Sequence, residues 1–238
     1  MTTPTTLPRR FYKTVEIEVA PGGGWQITLD GKVLRSPAKA ALLLPTEKLA
    51  KHLRQEWDAQ ETHIQPQTMP MMQFASTAID RVAQHHTAVA AETAGYAGSD
   101  LLCYRAEQPA ELVRRQSEIW QPLLDWANQR FDTALRATTG IVAIAQSPDS
   151  LARYSQVVAA HDPWRLTALA SLTGTTGSLI IALAVSEGRL DVLDAVAAAQ
   201  LDELYQAERW GEDAEAAQRR QLLAGDIADA QTFLTLLT

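Results

Sequence analysis

The residues whose types and spacing point most directly to chemistry lie in Leu201–Gly211, LDELYQAERWG, which closes a helical run beginning near Leu190. At about 100° per residue, Leu190, Leu193, Ala197, Leu201, Leu204 and Tyr205 share one face of that run. Val192, Val196, Ala199, Glu203, Gln206 and Trp210 share the other. A helix that is apolar on two sides packs on both, or packs on one and offers the other to a partner. Glu203 sits in the middle of the second face, where an ionised carboxylate costs several kcal/mol unless something pairs with it. Two readings follow. The carboxylate is tied to an arginine or a helix N-terminus inside the fold, or it is kept for a partner or a reaction.

No enzyme constellation of usable specificity accompanies it. There is no Walker loop, no dinucleotide fingerprint after a strand, no paired-histidine metal helix and no G-x-S-x-G elbow. Gly22–Gly24 lacks the downstream lysine and hydroxyl residue of a phosphate loop, and Gly174–Ser178 sits inside a helical run without a lysine. His85 and His86 are adjacent, whereas ligands on one helix face stand three or four residues apart, so both read as solvated. Cys103, the single cysteine, lies between Leu102 and Tyr104 and reads as a small buried hydrophobe. One thiol builds neither a disulfide nor a cysteine zinc site. No metal and no cofactor are expected. A binding role fits better, because six tryptophans stand against four phenylalanines and five tyrosines, and aromatic anchors dominate interface energies. Trp57 and Trp210 each sit near a helix end beside carboxylates, either as such anchors or as core residues. The rivals are a metabolic enzyme with an unfamiliar site, favoured by a deep titratable pocket, and a membrane-associated scaffold.

The elements that must position these residues follow from composition and pattern. The 238 residues, 46% hydrophobic and 21% charged, suit one large folded domain or two small ones. A net charge of −7 argues against nucleic acid as a partner and against a polybasic membrane surface. MTTPTTLPRR lacks the apolar core of a secretory signal and is too short and proline-broken for an amphipathic transit peptide. A cytosolic or already processed protein, monomeric when free, is expected.

Residues Phe11–Leu44 read as antiparallel strands: Val15–Val19 and Trp25–Leu29 alternate, Asp30-Gly31 makes a hairpin into Lys32–Arg35, and Leu42–Leu44 can add another. Pro45-Thr46-Glu47 opens a helix with Leu49, Leu53, Glu56 and Trp57 on one face. The proline-bearing connector Ile64–Met72 predicts a boundary near Pro70, dividing a β-rich domain with one helix (1–70) from an α-helical domain (71–238). The fold class is α+β. In the second part, helices are expected over Met71–Thr93, Pro109–Phe131, Pro148–Ala160, Pro163–Glu187, Leu190–Gly211 and, with a break near Gly225, Glu212–Leu237. Leu166–Ser186 carries no charge and is formally long enough to span a bilayer. Its hydroxyls and glycines, and the missing aromatic belt, favour a central helix enclosed by others and no stable membrane insertion.

RRFYK, LDGKVLRSPAKAAL, EWDAQ, MPMMQFASTAIDR, DLLCYRA and LDELYQAERWG occur in this order from Arg9 towards the C-terminus. As an ordered set they resemble the assembly chaperones for the alpha subunit of the F1 sector of ATP synthase, found in mitochondria and related bacteria. The resemblance implies a small β domain followed by a larger helical one. It also implies a chaperone that is no enzyme and needs no ATP. Such a protein holds the new alpha subunit by the apolar surface later buried against the beta subunit. An acidic residue in the E-x-x-Q-x-x-x-W-G helix is implied as functional. Here that residue is Glu203, with Gln206, Trp210 and Gly211 completing the motif and neighbouring Asp202 as the alternative; the EWDAQ tryptophan is Trp57. Lacking the targeting extension of mitochondrial members, which work in the matrix, the chain is expected in a bacterial cytoplasm.

Overall fold

In the computed structural model of the protein, which describes residues 7–140 and 142–238, the alternating run becomes strand β1 (Val15–Val19). It pairs antiparallel with β2 (Trp25–Leu29), Val15 opposite Leu29 and Val19 opposite Trp25, and β2 pairs with the short β3 (Lys32–Val33). The sheet order is β1-β2-β3. Asp30 and Gly31 both take positive φ, 47° and 74°, as a tight hairpin turn requires. The Asp30 carboxylate accepts hydrogen bonds from the Thr14 and Lys13 N–H groups (2.8 and 2.9 Å), which hold its pKa below the ordinary value. Leu42–Leu44 forms no full strand; Leu44 alone bridges to Trp25.

Helix α1 (Glu47–Asp58) is capped by Thr46 and buries Leu49, Ala50, Leu53, Glu56 and Trp57, the face its periodicity predicts. Glu56 is 7% exposed. Its two carboxylate oxygens accept from the N–H groups of Met71 (2.7 Å) and Met72 (2.8 Å), in the first turn of α2 (Pro70–Thr77). Gln60 is also buried; it donates to the Glu56 carbonyl and accepts from the Gln65 N–H. Two side chains of one short stretch thus pin the proline-bearing connector. Pro70 opens α2, and the compact unit to which it belongs runs on to Gln84 and takes in Thr232–Thr238; the second unit is His85–Gln231.

The single helix expected over Met71–Thr93 is broken. After α2 the chain makes a wider turn at Ala78–Val82, in which the Ala83 N–H reaches the Ala78 carbonyl, and α3 (His86–Gly95) follows. Asp80, in that turn, accepts from the Ser36 hydroxyl and the Ala38 N–H and so ties down the loop after β3.

The second unit holds α3, α4 (Ala110–Phe131), α5 (Pro148–Ala159), α6 (Pro163–Thr176), α7 (Leu179–Ser186), α8 (Val192–Ala199), α9 (Leu201–Trp210) and most of α10 (Ala214–Leu236). Thr138–Thr139 forms β5, parallel to β4 (Tyr104–Arg105). Helix α10 runs unbroken through Gly225. The apolar run expected as one helix to Glu187 is two. Gly177 turns left-handed (φ 68°), and Ser178 caps α7 by accepting from the Ile181 N–H. Completely buried Asp100 accepts from the Ser178 hydroxyl (2.7 Å) and from the N–H groups of Ile180 and Leu102 (both 3.1 Å). Every residue of Leu179–Val185 is at most 3% exposed, so α7 is the central helix of its unit. Among the described residues no helix is long and apolar enough to cross a membrane.

Removing the Glu56 carboxylate strands two buried N–H groups. Glu56→Ala should therefore cost about 2–5 kcal/mol in denaturant unfolding, and Glu56→Gln, which keeps one acceptor, less. Burial raises the Asp100 pKa from 3.8 to about 6 against the pull of its hydrogen bonds to Ser178, Ile180 and Leu102. A raised carboxyl pKa means that the folded protein binds the proton more readily. Its stabilising share is complete below 3.8 and is lost as the pH rises through about 6. Over that window the wild type should lose stability relative to Asp100→Asn, read from melting temperatures of the two proteins at each pH.

Candidate functional site

Gln200, at φ −114° and ψ 22°, leaves the helical path, so the run expected from Leu190 to Gly211 is α8 and α9 with separate registers. The continuous two-faced stripe therefore does not exist. Leu193, expected to share a face with Leu201 and Tyr205, is 79% exposed, and Ala199, expected opposite with Glu203, is buried. Within α9 alone the faces are clear. Leu201 and Tyr205 are buried, whereas Glu203, Gln206 and Trp210 are exposed and lie within about 60° of one another on the opposite side. Trp210 is 76% exposed. Neither Glu203 nor Gln206 has a hydrogen-bond or ion-pair partner among the described residues.

The inward side of α9 is fastened to α4 mostly by polar contacts. Half-buried Asp202 accepts from Gln116 Nε2 at 2.8 Å. Gln116 is 1% exposed; its side-chain oxygen accepts from the Ala106 N–H and its carbonyl from Arg105 Nη1, each at 2.8 Å. The Tyr205 ring lies between two guanidinium groups, Arg209 at 4.9 Å and Arg115 at 5.4 Å. Arg115 also pairs with Glu208 at 2.7 Å. Adjacent carboxylates therefore divide the work: Asp202 turns inward and holds the helix, and Glu203 turns outward. A tie inside the fold, one reading of Glu203, is found instead at its neighbour Asp202.

Trp57 belongs to the first unit. It is 8% exposed, its ring meets Tyr12 edge-on at 5.6 Å, and its Nε1–H is buried without an acceptor among the described residues. Gln116 is not among the residues that the sequence motifs single out, although it leaves a signal. It takes a place on the buried stripe of α4 with Trp120, Leu123, Leu124, Ala127 and Phe131, where a polar side chain needs a partner. Arg115 and Leu193 carry no such signal.

Two further residues of this unit, Cys103 and His86, are held by their surroundings. Burial, and secondarily Asp100, pushes the Cys103 thiol up to about 12, which keeps it protonated and unreactive. His86 Nε2 meets the His161 carbonyl at 2.8 Å, so His86 is half-buried and hydrogen-bonded rather than simply solvated. Among the described residues no group of three or more histidine, cysteine or acidic side chains could hold a metal ion.

Residues 9–128 match the protein family described as ATP12 chaperone protein. The chain is 27% identical over 216 residues to protein atp12, mitochondrial, of Schizosaccharomyces pombe, covering 85% of this chain and 74% of that one. It is similar to the crystal structure of Atp12 from Paracoccus denitrificans, with a TM-score of 0.93 and 43% identity over 97% of this chain and 99% of the other. Similar too is the Atu1473 protein from Agrobacterium tumefaciens, with a TM-score of 0.92 and 42% identity over 98% and 87% of the two chains.

The two sides of α9 should respond differently to truncation. Gln206→Ala and Trp210→Ala should leave unfolding free energy within about 0.5 kcal/mol of wild type. Gln116→Ala, which strands the Ala106 N–H and the inner carboxylate, should lower it by about 1–3 kcal/mol in the same denaturant titration.

Proposed function

The chain belongs to the ATP12 chaperone family, and on that premise we propose that it serves assembly of the F1 sector of ATP synthase by holding the unassembled alpha subunit until the beta subunit replaces it. The observation that carries this reading is the outward face of α9. A carboxylate, an amide and an exposed indole stand together there, while the opposite face of the same helix is locked to α4. Among the described residues no side chain pairs with Glu203, and Trp210 is 76% exposed.

The physics of the task fits such a surface. A subunit waiting for its partner exposes an apolar face far larger than the few hundred Å² that free proteins tolerate. Its chaperone must cover that face yet bind less tightly than the final partner, so that replacement is downhill. An interface centred on one aromatic anchor and one charge meets both demands. Trp210 is the anchor, and Glu203 meets an arginine, a lysine or a backbone donor on the client. Gln206 completes the contact, Asp202 sets the angle of the helix from behind, and Trp57 supports the first unit from its core. No bond is made or broken in this role. The reading sets the work in a bacterial cytoplasm, in keeping with 42–43% identity to two bacterial proteins.

Charge reversal at Glu203 provides the test. Glu203→Lys should weaken capture of purified, unassembled alpha subunit by about tenfold or more while the melting temperature stays at the wild-type value. A large drop in melting temperature would make Glu203 a structural residue. Wild-type protein that captures no alpha subunit at all would overturn the reading.

A further inference from the structure

The segment between α4 and α5 is longer than a connection needs, and its composition is unusual for a surface loop. No charged residue occurs from Ala137 to Pro148. Val142, Ala143 and Ala145 are exposed, Val142 at 73%, and Ile144 is partly so. Loops that only connect are polar, because they run through water.

The base of this loop is built rather than loose. Gln146, 7% exposed, uses its amide like a strand partner: Oε1 accepts from the Arg136 N–H at 2.8 Å and Nε2 donates to the Arg136 carbonyl at 2.9 Å. Below that clamp, Leu135 is buried and the Ser150 hydroxyl donates to the Ala134 carbonyl. Thr138–Thr139 pairs with Tyr104–Arg105, and the Gly140 N–H reaches the Arg105 carbonyl at 2.9 Å. Gly140 has φ +76°, a left-handed backbone that strains most side chains, and a Cβ there would come within 2.9 Å of Glu107 Oε1. An apolar tip is thus presented on a neck whose ordering entropy is already spent, the condition that favours binding.

The neck and α9 share one anchor. Arg105 holds Gly140, Ala106 donates to Gln116, and Gln116 donates to Asp202 in the first turn of α9. We propose that Val142–Ala145 is a second contact for the client engaged by α9, an uncharged aliphatic knob that enters an apolar cleft of the unassembled subunit. This rests on the chaperone reading above. Four small residues offer far less than the roughly 800 Å² per partner of a stable association. The tip therefore works as one arm of a larger interface and not as a self-association site. It also has neither the aromatic ring nor the basic residue that marks a membrane-surface contact.

The test compares wild type with Val142→Asp and Ala143→Asp, both at exposed positions, by titrating each against purified unassembled alpha subunit at low and high salt. Each variant should bind about tenfold more weakly with an unchanged melting temperature. Val142→Ser, which adds no charge, should weaken binding to a similar degree at both salt concentrations, whereas the Glu203→Lys defect should shrink as salt rises. Equal affinities for wild type and all three loop variants, with the subunit still captured, would overturn the loop contact and leave the α9 reading standing. A wild type that binds no alpha subunit would remove both. A concentration-dependent dimer in sedimentation, or binding to anionic vesicles, that Val142→Asp abolishes would assign the tip to another occupant and overturn the proposal as well.

Discussion

The opening N–H groups of a helix and a carboxylate taken out of water are each costly to bury alone, and each unit of this protein sets one against the other. In the first unit Glu56 receives the N–H groups of Met71 and Met72. In the second, Asp100 receives those of Leu102 and Ile180 together with the Ser178 hydroxyl. A helix start leaves its first donors unpaired and carries partial positive charge, so an acid placed there satisfies the donors and recovers part of the cost of its own burial. Glu56 fixes α1 to α2 across a connector with two prolines. Asp100 fixes the joint at which α7 turns away from α6. Without that joint the apolar run could not be packed on every side within a small bundle.

With the core settled this way, α9 is free to be two-sided. Its inward face depends on Leu201, on Tyr205 between two arginines and on the Asp202–Gln116 hydrogen bond. Its outward face carries the exposed Glu203, Gln206 and Trp210. Surface residues without partners are where function can change without unfolding the chain.

The motifs that carry the family resemblance have a physical explanation. Arg10 of RRFYK donates to the backbone carbonyls of Tyr12, Asp58 and Gln60. Asp30 and Ser36 of the hairpin motif, Glu56 and Gln60 of EWDAQ, Asp80 after the second proline, and Asp100 and Arg105 of DLLCYRA all satisfy backbone groups or other polar side chains. These are positions where chemical type, not only size, is constrained, because a polar or backbone group left without its partner is expensive wherever water cannot replace it. A set of such positions is specific for a fold without being catalytic.

Local order alone determined the strands Val15–Val19 and Trp25–Leu29, the Asp30-Gly31 turn and the buried face of α1, since each depends on neighbours within a few residues. It also made Glu203, Gln206 and Trp210 one face, because their spacing is helical whatever lies around them. Only the tertiary structure decided where the long helical runs break and which of two adjacent carboxylates is free. The Gly177–Ser178 joint is held by Asp100, 78 residues earlier, and Asp202 is claimed by Gln116, 86 residues earlier. Hydrogen bonds to distant donors have no period in a sequence, so helix interruptions and the inward or outward fate of a side chain become visible only once the chain has folded.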